Sequence, residues 1–187
     1  MKKSLIIIIV PILILFSCRQ KTYLSDDFKN FVPYEVNQEL VFISSKGGFE
    51  KLIISSIEDN RFPDGINPPK NEIMQVYGKH EPDSNSQRTL IPILTGIAGN
   101  KNKEEQIIFE VLLGHTGTTQ RVSFSKIKNK RVQVLRTNYK YYEDVILMNI
   151  VFENTPKADK ITSFYWSLSK GYVRFVQQDG TIWDLKE

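Results

Sequence analysis

Ile161–Leu185 has the sequence ITSFYWSLSKGYVRFVQQDGTIWDL, in which three short apolar runs are separated by two turns. The turns are Ser169-Lys170-Gly171 and Gln178-Asp179-Gly180, and Asp-Gly is a strong hairpin signal. The alternation in these runs has the period of a strand with one buried face. It places the side chains of Tyr172 and Phe175 on opposite faces of the second strand. The predicted core face of the first run carries Phe164, Trp166 and Leu168. The stretch therefore predicts a three-stranded antiparallel meander that packs its apolar face on a core.

Earlier runs of β composition are likewise separated by turn residues, and a Gly47-Gly48 turn joins two of them into a hairpin. The candidate strands are 40–44, 49–57, 72–77, 89–94, 106–113, 120–127, 132–136, 145–153, 161–168, 172–177 and 181–185. One short helix is predicted over 26–31, with Ser25 as its N-cap. About ten strands are too many for a small open sheet that neither curls, splits nor closes. The sequence therefore predicts a mainly β fold with little helix, whose antiparallel meanders form a sandwich or a curled, partly closed barrel.

The first residues have the layout of a secretory signal peptide. Lys2 and Lys3 form a basic start, Leu5–Phe16 is an apolar run, and Ser17 is a small residue at the cleavage point. The apolar run has twelve residues, whereas a transmembrane helix needs about 20. A cleaved signal over residues 1–17 is therefore predicted, and its removal lowers the formal net charge from +4 to +2. That balance gives no reason to expect nucleic acid as a partner.

Leu15, Ser17 and Cys18 give this segment a motif that resembles the lipobox of bacterial lipoproteins. The resemblance implies cleavage between Ser17 and Cys18, a thioether from Cys18 to diacylglycerol, and usually three acyl chains. Cys18 is the only cysteine, so it has no disulfide partner within the chain. Several buried acyl chains anchor a protein stably to a membrane, whereas a single chain is marginal. A plain secreted protein with an incidental cysteine is the alternative.

The mature chain is predicted to be one domain on a short tether. Residues 18–30 combine the lipidated cysteine with a weakly patterned polar segment, predicted to be a flexible tether. Residues 31–187 are long enough for a single β-rich globular domain with a sizeable core. Arg19 follows the cysteine where the familiar inner-membrane retention signal has Asp. The resemblance therefore favours the outer membrane and leaves the periplasmic and surface faces open.

Three further places in the chain carry a second resemblance. They are Val32-Pro33-Tyr34 near the start, Val145-Ile146-Leu147 midway, and Tyr165-Trp166-Ser167 with Gly171–Phe175 and Asp179–Leu185 at the end. With them the body of the chain resembles small, uncharacterised lipoproteins of Bacteroidota. No activity is assigned to such families, so this resemblance implies no functional residues. The predicted architecture is also similar to the curled sheets of periplasmic lipoprotein carriers, by analogy of fold alone.

Residues with catalytic or metal-binding chemistry are few. A metal site needs several converging ligands, and the chain has two histidines and one cysteine, which is assigned to lipid. His80 lies in a polar stretch predicted to be a solvated loop, and His115 lies in a glycine-containing turn without the P-loop lysine. There is no Gly-x-Ser-x-Gly elbow, although a Ser/His/Asp triad assembled from distant segments stays open. The sequence therefore predicts a non-enzymatic protein without metal or cofactor.

Clusters of charged residues are predicted to be solvated. Neighbours in a strand point to opposite faces, so adjacent carboxylates do not converge like a glycosidase pair. The acidic pairs concerned are Asp26-Asp27, Glu58-Asp59, Glu104-Glu105 and Glu143-Asp144. A basic cluster precedes a tyrosine-rich segment, and the residues are Lys126, Lys128, Lys130, Arg131, Tyr139, Tyr141 and Tyr142. It is predicted to be a charged turn, with a contact to lipid phosphates or a nucleic-acid surface as weaker alternatives.

Two functions from different classes follow from these observations. The leading hypothesis is a membrane-anchored, non-enzymatic β domain that binds an envelope protein or polymer. The alternative is a carrier of lipid or another small hydrophobic ligand, with an apolar cavity inside the curled sheet. A filled core with an exposed aromatic patch favours the first function, and one large apolar cavity favours the second.

Overall fold

In the part of the chain that the structure describes, the fold is one antiparallel sheet of eleven strands, curled through 242° into a half-barrel. Strands make up 60% of the structure and helices 7%. The predicted mainly β fold is therefore confirmed. Of the two predicted architectures, the structure has the curled, partly closed barrel and not the sandwich. The computed structural model describes residues 22–60, 71–81, 90–99, 103–113, 116–152 and 157–186.

Each of the predicted strands has a counterpart in the sheet. The strands are β1 (Glu39–Ser44), β2 (Phe49–Asn60), β3 (Ile73–His80), β4 (Ile91–Ile97), β5 (Gln106–Leu113), β6 (Thr116–Ser123), β7 (Gln133–Arg136), β8 (Tyr141–Asn149), β9 (Ile161–Ser167), β10 (Gly171–Gln177) and β11 (Ile182–Lys186). Within the described ranges two short helices accompany them, α1 (Asp26–Asn30) and α2 (Phe124–Lys128). Local alternation and turn residues thus place the strands correctly along the chain.

Two meanders make the sheet, and β1 joins them by pairing with β11. The strand order is β6-β5-β4-β3-β2-β1-β11-β10-β9-β8-β7. Because the strands alternate in direction, α1, α2 and the turns β7–β8 and β9–β10 lie toward one end, which we call the helical end. The turns β1–β2 and β10–β11 lie at the opposite end, which we call the hairpin end.

The predicted C-terminal meander is present as β9, β10 and β11. A register shift between Tyr172 and Arg174 breaks the expected alternation, so Tyr172 and Phe175 are both buried in the core. The prediction that they lie on opposite faces is therefore wrong, because a β-bulge adds one residue to the strand. Leu168 is also misplaced by the prediction, since β9 ends at Ser167 and Leu168 begins the turn, partly exposed.

The N-terminal segment is part of the folded domain. α1 begins after Ser25, whose side chain accepts a hydrogen bond from the Phe28 backbone N–H, as the predicted N-cap should. Leu24, Phe28 and Phe31 are buried, at helix-like spacings of four and three. The tether predicted over residues 18–30 is therefore wrong from Thr22 onward, because these apolar side chains belong to the core.

α2 replaces the second half of a predicted strand. The candidate strand 120–127 ends in the structure at Ser123, and a helix follows. Phe124 and Ile127 are both buried, and their spacing of three places them on one helix face. The prediction failed there because a short apolar run does not distinguish a strand from one helical turn.

Aromatic rings fill the concave side of the half-barrel. Phe31 stacks on Trp166 with ring centroids 5.4 Å apart, and Phe28 lies 5.0 Å from Phe124. Ring contacts continue through the core to Tyr172, whose hydroxyl donates a hydrogen bond to the Ile93 carbonyl at 3.3 Å. The linked rings are Phe28, Phe31, Tyr34, Phe42, Phe109, Phe124, Phe164, Trp166, Tyr172 and Phe175.

One ion pair lies on the convex face of the sheet, under the β7–β8 turn. Arg174 donates two hydrogen bonds to Asp184, from Nε at 2.5 Å and from Nη2 at 3.0 Å. Asn138 in the turn donates from its backbone N–H to the same carboxylate at 3.3 Å. Asp184 is buried, so this pair fastens the turn to β10 and β11.

Candidate functional site

The clearest open site is a groove of about 390 Å³ at the helical end, which we call the helical groove. Its walls come from α1, from α2 with the residues that follow it, from β8 and from the β9–β10 turn. The lining residues are Asp27, Asn30, Phe31, Phe124, Ile127, Lys128, Lys130, Val132, Ile146 and Leu168. Six of these side chains are apolar, so the floor of the groove is suited to an apolar ligand group.

The floor of the helical groove is fixed by the aromatic core. Phe31 is buried and contacts Trp166 face to face and Phe124 edge to face, at 5.4 Å between ring centroids in both cases. Ile127 and Ile146 are also buried. Well-packed rings hold one arrangement, so the floor is preformed and does not have to be ordered by a ligand.

The rim of the helical groove combines exposed apolar and charged side chains. Val132 is 46% exposed and Leu168 38%, so both present apolar surface to the solvent. Lys128 contacts Asp27 across the rim, and Lys130 lies beside Val132. An apolar floor with basic groups at its edge suits an amphiphilic partner that carries negative charge.

Asp144 holds the turn that presents Leu168. Its carboxylate accepts hydrogen bonds from the Ser167 hydroxyl and from the Ser169 backbone N–H, both at 2.8 Å. Burial acts to raise the pKa of Asp144, but these hydrogen bonds outweigh it and the pKa is lowered. Asp144 belongs to an acidic pair predicted to be solvated, and it instead fixes one wall of the groove.

A second buried carboxylate holds α1. Glu72 is fully buried and accepts hydrogen bonds from the Leu24 backbone N–H at 2.6 Å and from Lys29 Nζ at 2.9 Å. Burial acts to raise its pKa, but the two donors outweigh that effect, so the pKa of Glu72 is lowered. Lys29 also pairs with Asp59 at 3.6 Å. These contacts attach the wall formed by α1 to β2 and to the start of β3.

The Glu104-Glu105 pair also has structural partners. Glu105 accepts hydrogen bonds from the Ser25 backbone N–H at 2.5 Å and from the Ser25 hydroxyl at 2.9 Å. Glu104 accepts from the hydroxyls of Ser123 and Ser125 at the start of α2, and these bonds lower its pKa. Both carboxylates therefore tie strand and helix ends together, a role that sequence could have suggested through nearby serines.

A small cavity of about 10 Å³, lined mainly by apolar side chains, lies in the core toward the hairpin end. His80 contacts Glu50 there, and Glu110 and Tyr172 complete the polar lining. The prediction that His80 lies in a solvated loop is wrong, because it is the last residue of β3 and its side chain is 20% exposed. Burial raises the pKa of Glu110. The space holds about one water molecule, so these groups have no room for an organic substrate.

The predicted lipid site lies outside the described residues. Ser17 and Cys18 precede Thr22, the first residue that the structure describes, and His115 falls in a gap between described ranges. Within the described ranges, no three His, Cys, Asp or Glu side chains come together in a way that could hold a metal ion. In the same part of the chain, no helix is long and apolar enough to span a bilayer.

Comparisons with known proteins identify no relative of this chain. No family model, no curated protein and no solved structure matches the chain. The function is therefore inferred from the residues of this chain and from the geometry that they form.

Proposed function

We propose that the chain is a non-enzymatic lipoprotein of the cell envelope, anchored to a membrane through Cys18, whose half-barrel binds an envelope component at the helical groove. The outer membrane is the favoured location, with the periplasmic and surface faces both open. The observation that carries the proposal is the contrast between a filled interior and a preformed apolar groove on the outside.

Support for the anchor comes from the N-terminal sequence. A basic start, a short apolar run and Ser17-Cys18 resemble a lipoprotein signal, and the chain has no second cysteine to pair with Cys18. Thr22 is fixed to the domain, since its hydroxyl donates to Asn71 Oδ1 at 2.9 Å and its carbonyl accepts from the Glu72 backbone N–H at 2.9 Å. The tether from Cys18 to the folded domain then has four residues or fewer.

Support for binding on the outside comes from the packing of the core. Phe28, Phe31 and Phe124 occupy the concave side of the sheet, where a carrier would need an apolar cavity. The small cavity beside His80 has room for about one water molecule. This geometry favours the partner-binding hypothesis over the carrier hypothesis, since apolar surface remains available at Val132 and Leu168.

Photo-crosslinking in intact cells tests the proposed binding surface. A photoreactive amino acid is placed at Val132, in the groove, and at Leu90, a similarly exposed apolar residue at the hairpin end that serves as the control. We expect crosslinked envelope components from position 132 in clear excess over position 90. Equal recovery from the two positions, or none above the signal without irradiation, would contradict binding at the groove.

A further inference from the structure

The tether places the helical end of the half-barrel near the bilayer. Thr22 is attached to the start of β3, at the end where α1 and α2 lie. Thr22 is four positions after Cys18, and a fully extended chain over that interval reaches about 14 Å. If Cys18 carries the lipid, as the proposed function has it, the attachment point at Thr22 stays within this distance of the lipidated residue.

The helical groove opens at that same end. α1 begins four residues after Thr22 and supplies Asp27 and Asn30 to the groove, and its C-cap residue supplies Phe31. The attachment point of the anchor and the apolar floor are thus parts of one short segment. A bilayer held beside Thr22 is therefore the surface that the groove meets first.

Charge at the groove is complementary to lipid headgroups. Lys126 and Arg131 are exposed beside Lys128 and Lys130. Asp27 is the one carboxylate among the lining residues and pairs with Lys128, and Glu104 lies near Lys126, so basic charge is in excess at the rim through Lys130 and Arg131. Phosphates in a membrane surface attract basic side chains, and long lysine stems can lie along apolar surface while their ammonium groups stay at headgroup level. The position of the basic cluster beside an apolar floor therefore suits a phospholipid surface.

We propose that the helical groove is a membrane-contact site, in which phospholipids of the bilayer that holds the anchor place acyl chains against Leu168 and Val132 and phosphates near Lys128 and Lys130. This inference rests on the proposed function and names the component that the groove binds. It also gives the domain a fixed orientation, with the hairpin end directed away from the membrane.

Lipid quenching of single labelled cysteines tests the contact in the full chain. Lipidation consumes the thiol of Cys18, so a cysteine introduced by Leu168→Cys can be labelled alone with a fluorophore. The matched control is Phe49→Cys at the hairpin end, where the native side chain is 63% exposed. The lipidated proteins are reconstituted in vesicles of phosphatidylethanolamine and phosphatidylglycerol, with and without a nitroxide on the acyl chains.

We expect the nitroxide lipid to cause a loss of fluorescence at position 168 and none at position 49. Lys128→Gln together with Lys130→Gln should reduce the loss at 168, with an unchanged melting temperature as the check on folding. No loss at 168, or equal loss at both positions, overturns the membrane contact. Shielding of position 168 only after a protein extract of the envelope is added also overturns it, because the groove would then bind protein.

Failure of the anchor gives a different result from failure of the groove. Labelling of Cys18 in the otherwise unchanged chain shows a free thiol and overturns the proposed lipidation. The groove is then judged in the Cys18→Ser chain carrying Leu168→Cys or Phe49→Cys and added to the same vesicles. Quenching confined to position 168 supports the contact in that background too, and its absence overturns it.

Discussion

Gly171 offers a test of how the N-terminal segment is locked to the sheet. Its φ is +80°, and a Cβ at this position would overlap the ring and hydroxyl of Tyr34. The Tyr34 hydroxyl accepts a hydrogen bond from the buried Tyr172 backbone N–H at 3.0 Å. Burial also raises the pKa of Tyr34, so this hydroxyl stays protonated over the ordinary pH range. Gly171→Ala should therefore disturb both the backbone and this contact.

Gly180 supplies the matched control. Its φ is +82°, and nothing lies within 4 Å of the position that a Cβ would take. Gly180→Ala should cost only the left-handed backbone penalty, about 1–2 kcal/mol of the free energy of unfolding. Gly171→Ala adds an overlap worth about 1–3 kcal/mol, and it weakens a buried hydrogen bond whose loss costs about 1–3 kcal/mol. The two alanine variants should therefore differ by about 2 kcal/mol or more.

Urea unfolding of the two variants and the unchanged protein measures this difference, with the slope checked for two-state behaviour. Tyr34→Phe isolates one part of the effect, because it keeps the ring and leaves the Tyr172 N–H without its acceptor. We expect that variant to lose about 1–3 kcal/mol. Equal losses in Gly171→Ala and Gly180→Ala would refute the packing of Tyr34 against the β9–β10 turn.

Three further changes test the core, the ion pair and a partly buried carboxyl. Phe28→Ala should lower the free energy of unfolding in urea by about 3–5 kcal/mol, because Phe28 is 0% exposed. The control Tyr23→Ala changes an exposed residue and should cost little. Equal small losses would mean that residues 22–30 are a tether outside the core. Asp184→Ala should cost about 3–5 kcal/mol by leaving Arg174 without its buried partner, and a loss under about 1 kcal/mol would mean that the pair is solvated. Burial raises the pKa of Glu110 above its ordinary 4.5, so its ionisation opposes folding as the pH rises through the raised value. Glu110→Gln should therefore make the protein more stable at neutral pH, as melting temperatures across the pH range would show; an unchanged pH profile would contradict the burial.

The strands could be predicted from sequence because their signals are local. Alternating apolar residues and glycine turns predicted all the runs that form the sheet, including the meander of Ile161–Leu185. Whether these strands close, split or curl depends on pairing between distant segments. The β1–β11 pair joins the two meanders, and the sequence of neither strand alone indicates that the two pair. The sequence therefore left the sandwich and the partly closed barrel as alternatives.

The helical groove could not be predicted because its residues converge from four separate segments. Two signals were present but weak: the spacing of Leu24, Phe28 and Phe31, and that of Phe124 and Ile127. Each is short enough to fit a loop or a strand equally well. His80 shows the same limit, since polar neighbours suggested a loop and only its pairing with Leu52 places it in a strand.

Metabolic labelling with palmitate tests the central claim, attachment to the membrane through Cys18, most directly. The unchanged chain and Cys18→Ala are each expressed in bacterial cells that are supplied with labelled palmitate. Both proteins are then purified and their label is compared. We predict label in the unchanged protein and none in Cys18→Ala, because the thioether and the new N-terminus that carry the acyl chains both require this cysteine. Equal label in the two proteins would contradict the claim.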